Sequence, residues 1–160
     1  MPSDSFQKAL DQLSTSHRKQ KQLPAMKNIE AGFWQILKTS LKKTKRSLTL
    51  TRIESYATPG LPDVVCCAED GSFSFMELKV IKSGKKLNLS AHQVSWHSRH
   101  SHAPTFIVVR DRSLHIRVFS PEDAVELRMV GMDQVQPLGD FAEPYDWESF
   151  WALTAPLKQV

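Results

Sequence analysis

The chain has 160 residues, a formal net charge of +4, 41% hydrophobic and 24% charged residues, and two cysteines. That length suits one domain with its own core and no need of disulfide or metal staples. No apolar run approaches the ~20 residues of a membrane helix, and "MPSDSFQKALDQLSTSHRKQKQ" has no apolar signal core, so the expectation is a cytoplasmic protein without membrane contact. The charge is uneven: through Arg52 there are 11 Lys or Arg against Asp4, Asp11 and Glu30, a balance of +8, and the rest carries −4. A basic first third suits a polyanion, with a merely solvated face as the plainer alternative.

Residues 1–28 read as a basic, flexible arm with one helical stretch around Phe6–Leu13, closed by Pro24. A single domain follows over 29–160, with a helical extension from about residue 120. "NIEAGFWQILKTSLKKTKR" predicts a helix capped by Asn28, with Ile29, Phe33, Ile36, Leu37 and Leu41 on one face and Lys38, Lys42, Lys43 and Lys45 outward. "SLTLTRIES" alternates as a strand, "ATPGLP" is a loop, and "DVVCCA" is a second strand. There Cys66 and Cys67 face opposite ways as buried thiols of a reducing compartment. "EDGS" turns that strand into "FSFMELKV" as a hairpin. Ser90 and Gln93 make a capping-box pattern, and Leu89 and Val94 are spaced as its hydrophobic staple, so "LSAHQVSWHSRHSHA" starts a helix. "TFIVVRD" and "SLHIRVFS" are strands about a tight turn, and "PEDAVELRMV" is a helix opened by proline. "GMDQVQPLGDFAEP" reads as irregular, and "YDWESFWALT" closes with Trp147, Phe150 and Trp151 on one stripe. The order predicts an α/β domain on a small mixed sheet flanked by helices.

Within "FSFMELKV" the charges Glu77 and Lys79 point the same way, about 7 Å apart along the strand. Two such charges are costly to bury unless each has a partner. A hard divalent cation such as Mg²⁺ would supply one, since it takes oxygen ligands and uses only one or two protein carboxylates. Asp63 begins the strand that pairs with Glu77's, so Asp63, Glu77 and the backbone carbonyl of Leu78 are candidate ligands. Lys79 would orient or deprotonate the attacking water. That is metal-assisted phosphodiester hydrolysis. The plainer alternative is an ion pair without chemistry.

"GLPD", "ELK" fourteen residues past the aspartate, and "LSAHQVSWH" together resemble the PD-(D/E)xK nuclease superfamily, in particular its phage-type and Holliday-junction-resolvase-like members. The resemblance runs from about Ile29 to Asp111 and implies a restriction-endonuclease-like core. It implies catalytic roles for Asp63, Glu77, Lys79 and Gln93, adds Glu54 from "RIES", and places near Glu30 the helical acid that many resolvase-like members contribute to the metal site. The capping box explains Gln93 without catalysis, and solvent-facing acids are the alternative for Glu54 and Glu30. The expected activity is a Mg²⁺-dependent DNA endonuclease, with Mn²⁺ able to substitute. It would act on branched DNA as a homodimer, in the host cytoplasm if the chain is phage-encoded. The alternatives are a nuclease without structure preference and a catalytically silent DNA-binding module.

Lys82, Lys85 and Lys86 in "KVIKSGKK", with Lys42 and Lys43 of the first helix, are expected to bind DNA phosphates. His97 follows Gln93 by one helical turn and is expected to line the site or touch phosphate. The crowd of His92, His97, His100 and His102 lacks the thiolate or carboxylate partners of a usual zinc site. Trp96 is expected in the core. Trp147, Phe150 and Trp151 are a docking face for the domain or a contact with a second copy.

Overall fold

The structure, a computed structural model, describes residues 24–159, with side chains from residue 29 onward. The densest apolar runs of the sequence lie at its centre: β3 (Phe73–Val80) and β4 (Thr105–Arg110) pair in parallel, Glu77 opposite Ile107 and Lys79 opposite Val109. Parallel neighbours need a crossover, which is supplied by the helix Ala91–Arg99. The other neighbours are antiparallel: β1 (Thr49–Arg52), β2 (Val64–Cys67), β5 (Ile116–Phe119) and β6 (Gly139–Phe141) complete one sheet in the order β1-β2-β3-β4-β5-β6. Among the described residues the helices are α1 (Pro24–Ser40), α2 (Ala91–Arg99), α3 (Ala124–Met129) and α4 (Trp147–Thr154). The expected α/β class, a mixed sheet flanked by helices, is what is observed.

Side-chain alternation divides the interior into two clusters, one per face of the sheet. Met76, Leu78, Val108 and Val118 pack with Phe33 and Leu37 of α1 and with Trp147, Phe150 and Trp151 of α4. On the other face Ile107, Val109 and Phe119 pack with Leu87, Leu89 and Leu127. The aromatic stripe of α4 is therefore core: Phe150 and Trp151 are fully buried, and the Trp151 indole N–H donates to Ser40 Oγ at 3.0 Å. Of the two readings of that stripe, the docking face for the domain is the one observed, and the contact with a second copy is corrected. Arg46 holds the end of α4, donating to the carbonyls of Trp151 and Ala155, each at 2.8 Å.

Three boundaries differ from expectation. Helix α1 includes Pro24, so Asn28 lies inside it and is not its cap; proline costs little in a first turn, where its missing N–H has no helical partner. The expected arm thus loses residues 24–28 to this helix, and the rest of it, with the stretch Phe6–Leu13, lies outside the described residues. The strand expected over "SLTLTRIES" shortens to Thr49–Arg52. The segment expected to be irregular holds β6, whose Asp140 accepts from Arg117 Nε at 3.0 Å and is 2.7 Å from His115 Nδ1. Cys66 is buried and Cys67 half-buried, and both are free thiols.

Candidate functional site

Strand β3 outruns β2. Their ladder ends at the pair Val64 and Met76, while β3 continues to Val80. One residue further in the same register, Asp63 falls opposite Glu77 and therefore on the same face. Its side chain takes the place of the missing strand: Asp63 Oδ2 accepts the N–H of Leu78 at 2.9 Å. In extended backbone the N–H and C=O of one residue point to the same edge. The Leu78 carbonyl thus opens toward Asp63, where β2 no longer pairs with β3.

Glu77 is fully buried beneath this edge. Its Oε1 pairs with Lys79 Nζ at 2.9 Å and accepts from Gln93 Nε2 at 2.5 Å. Its Oε2 is buried with no partner among the described residues. The position of Gln93 follows from the helix start. Ser90 Oγ accepts the Gln93 N–H at 3.1 Å, and Gln93 Oε1 accepts the Ser90 N–H at 2.9 Å. With its oxygen held by the cap, the amide turns its NH₂ toward Glu77. The capping box and the contact with Glu77 are made in one conformation.

The loop carrying Asp63 is held against the same helix turn. Gly60 has φ +87°, and a Cβ there would lie 2.3 Å from the His92 carbonyl oxygen and 2.9 Å from the Gln93 nitrogen. Only glycine permits both the backbone angle and the approach. Pro62 is buried directly before Asp63, and Ile53 N–H donates to the Asp63 carbonyl at 2.7 Å, so the residue is fixed from both sides.

The electrostatics follow from burial. Burial pushes the Glu77 carboxyl up to about 8, against the pull of Lys79 and with the added push of Asp63 and Glu30. Burial alone would lower Lys79, but Glu77, Asp63 and Glu30 outweigh it and hold the ammonium charged, above the usual lysine value. Burial likewise raises the half-buried Glu30, with Lys79 and Arg52 pulling it back and Asp63 pushing it up. These mutual effects put Glu30, near the start of α1, within electrostatic reach of the β3 pair.

The structure thus brings together Asp63, Glu77, Lys79, Gln93 and Glu30. Glu54 is exposed past the end of β1, next to Ile53, at the rim of the cluster and without a contact to it among the described residues. Lys82 and Lys86 are exposed; Lys85 is ion-paired with Asp133. Lys42 and Lys43 are exposed but lie beyond Ser40, with about 15 Å of helix between Glu30 and that residue, which separates them from the carboxylates. For His97 the expected contact with phosphate is corrected. The residue is fully buried, neither ring nitrogen has a partner among the described residues, and burial and Lys79 lower it to about 4, so it is neutral and out of reach of phosphate. Trp96 is buried as expected, with His100 stacked on it at 4.0 Å.

Among the described residues no three His, Cys, Asp or Glu side chains form a ready-made metal cage. The donors present are an unpartnered buried carboxylate oxygen on Glu77, the Asp63 carboxylate and an open-edge carbonyl. That set of few, hard oxygens fits Mg²⁺ or Mn²⁺, which keep several waters. A cleft of ≈ 310 Å³ adjoins it, lined by Glu30, Lys82, Ser83, Lys86 and Asn88. A larger cleft, ≈ 1010 Å³, lies elsewhere, between the end of α1 and residues 143–148.

No family model matches the chain, and no curated protein matches it. Among solved structures it is similar to the Holliday junction resolvase Hjc of the archaeal hyperthermophile Archaeoglobus fulgidus, at 18% identity over 71% of this chain and 88% of that one, with a TM-score of 0.43.

Proposed function

We propose that the protein is a divalent-metal-dependent DNA endonuclease of PD-(D/E)xK type, with a restriction-endonuclease-like core and branched DNA as its preferred substrate. The observation that carries the reading is the buried, unpartnered Oε2 of Glu77, set at an open sheet edge beside Asp63 and Lys79. A fully buried carboxylate with an oxygen left bare is costly unless something absent from the chain completes it. Asp63, Glu77 and the Leu78 carbonyl would hold a Mg²⁺ or Mn²⁺ ion, with Glu30 at its margin. Bound there, such an ion supplies Lewis acidity toward a phosphodiester and acidifies water at neutral pH.

The chain's own residues do the rest. Lys79 is charged and anchored on Glu77, so it acts as a donor that orients water and steadies charge building on phosphate. Gln93 fixes the rotamer of Glu77. The exposed Lys82 and Lys86 beside the adjoining cleft bind backbone phosphate, which makes affinity salt-dependent.

The test is cleavage of a four-way junction, a duplex and a single strand with Mg²⁺, Mn²⁺ or EDTA, alongside Asp63→Asn. Metal-dependent cutting that is fastest on the junction, and lost in Asp63→Asn while that variant still folds and binds DNA, is the expected result. Equal cutting of plain duplex would remove the branched-DNA preference. Binding without cutting in any metal would leave a silent DNA-binding module.

A further inference from the structure

We propose that the nucleic-acid strand leaving the candidate site crosses Lys82 into a second cleft and is anchored there by Arg112. This inference deepens the nuclease reading and rests on it.

The cleft beside Glu30 does not end at the lysine loop. A second cleft of ≈ 300 Å³ shares Ile81, Lys82 and Ser83 with it and continues to Arg112, in the turn between β4 and β5. Lys82 therefore stands on the saddle between the two. Both open beyond the carboxyl ends of the parallel strands β3 and β4, the end of an α/β sheet where loops gather around a ligand.

The charges of the second cleft sort into those already paired and those left over. Asp111 receives Arg117 Nη1 at 3.2 Å and the N–H groups of Ser113 and His115 at 2.8 and 3.0 Å, and Arg117 also reaches Asp140. Asp133 is paired with Lys85. Both acids of the cleft are thus answered from within it. Lys82 and Arg112 are exposed and have no acidic partner among the described residues. A cleft whose acids are neutralised and whose two remaining cations face one channel attracts a polyanion, and a phosphodiester chain already lying at Glu30 is the one that reaches it. Lys85 sits in the same loop as Lys82 but is held by Asp133, so it contributes no phosphate contact. The sequence treats these lysines alike; the ion pair separates them.

The experiment measures binding of a labelled four-way junction and a duplex by fluorescence anisotropy across a NaCl series in EDTA, so that nothing is cut. The proteins are wild type, Arg112→Ala, Lys82→Ala and the charge-neutral pair Lys85→Ala with Asp133→Ala, each checked by melting. Arg112→Ala and Lys82→Ala should each reduce the log-log salt slope by about one, while the neutral pair leaves it unchanged. An unchanged slope in Arg112→Ala, a slope lowered by the neutral pair, or a wild type that binds neither DNA overturns the path. Cleavage with Mg²⁺, run in parallel, separates the two ideas. A wild type that cuts while Arg112→Ala keeps its slope sinks the path alone. One that cuts nothing while Arg112→Ala loses a unit of slope sinks the nuclease reading and supports the path.

Discussion

Gly60→Ala tests whether the loop of Asp63 is set by its contact with α2. The new methyl would sit 2.3 Å from the His92 carbonyl oxygen, against 3.4 Å or more for an ordinary contact, so the loop must back away by about 1 Å. A left-handed backbone angle at a non-glycine residue adds ~1–2 kcal/mol of strain. Displacing a reacting group by that distance costs roughly 100-fold in rate. Gly71→Ala is the matched control: it has φ +78° in the β2–β3 turn, with nothing within 4 Å of a Cβ. Both variants should melt a few degrees lower, since ~1 kcal/mol moves the melting point by about 2–4 °C in chains of this size. Only Gly60→Ala should also lose about 100-fold in metal-dependent cleavage. If Gly60→Ala cuts DNA as fast as Gly71→Ala, the reasoning that couples the loop to the site is wrong.

Two further predictions concern the core and the carboxylates. Trp151→Ala removes a fully buried indole and its bond to Ser40, and should cost about 3–5 kcal/mol in denaturant unfolding without altering the sedimentation of whatever folded protein remains. A variant of wild-type stability with a changed association state would return the aromatic stripe to an interface. Because the Glu77 carboxyl is raised to about 8, a proton must leave before a cation binds, so Mg²⁺ affinity measured by calorimetry should rise about tenfold per pH unit up to that value and then level. The same shift means that the metal-free fold keeps the contribution of Glu77 below pH 4.5 and loses it as the pH climbs through about 8. A flat Mg²⁺ profile between pH 6 and 8 would show that Glu77 is not a ligand.

Local signals carried the parts of the site that depend on spacing. The period-two pattern of "FSFMELKV" put Glu77 and Lys79 on one face, the turn before it aligned Asp63 with them, and Ser90 with Gln93 marked the helix start. Each can be read within one hairpin or one helix turn. What stayed hidden depends on distant segments. Three residues of β6, only one of them a large hydrophobe, cannot announce a strand; Asp140 is bound by His115 and Arg117, more than twenty residues upstream. The stripe of α4 was visible, but that it completes the core under α1 depends on packing across a hundred residues. A phosphate contact by His97 is ruled out by its depth, which its legible helical face does not reveal. Arg112 gives no signal beyond its charge, and its relation to Lys82 arises only where the β3 and β4 ends meet.

The two outermost strands bear on how copies of this chain could associate. β1 contributes four residues, three of them exposed and one an arginine, and β6 contributes three. Extending the sheet from one molecule into the next would therefore rest on a handful of backbone bonds at either margin. Short, charged margins of this kind keep folded proteins from zipping together edge to edge. If two copies must converge on the paired strands of a four-way junction, they would meet through helix and loop side chains. Proline placed on the outward side of β1 or β6 would then leave their association intact.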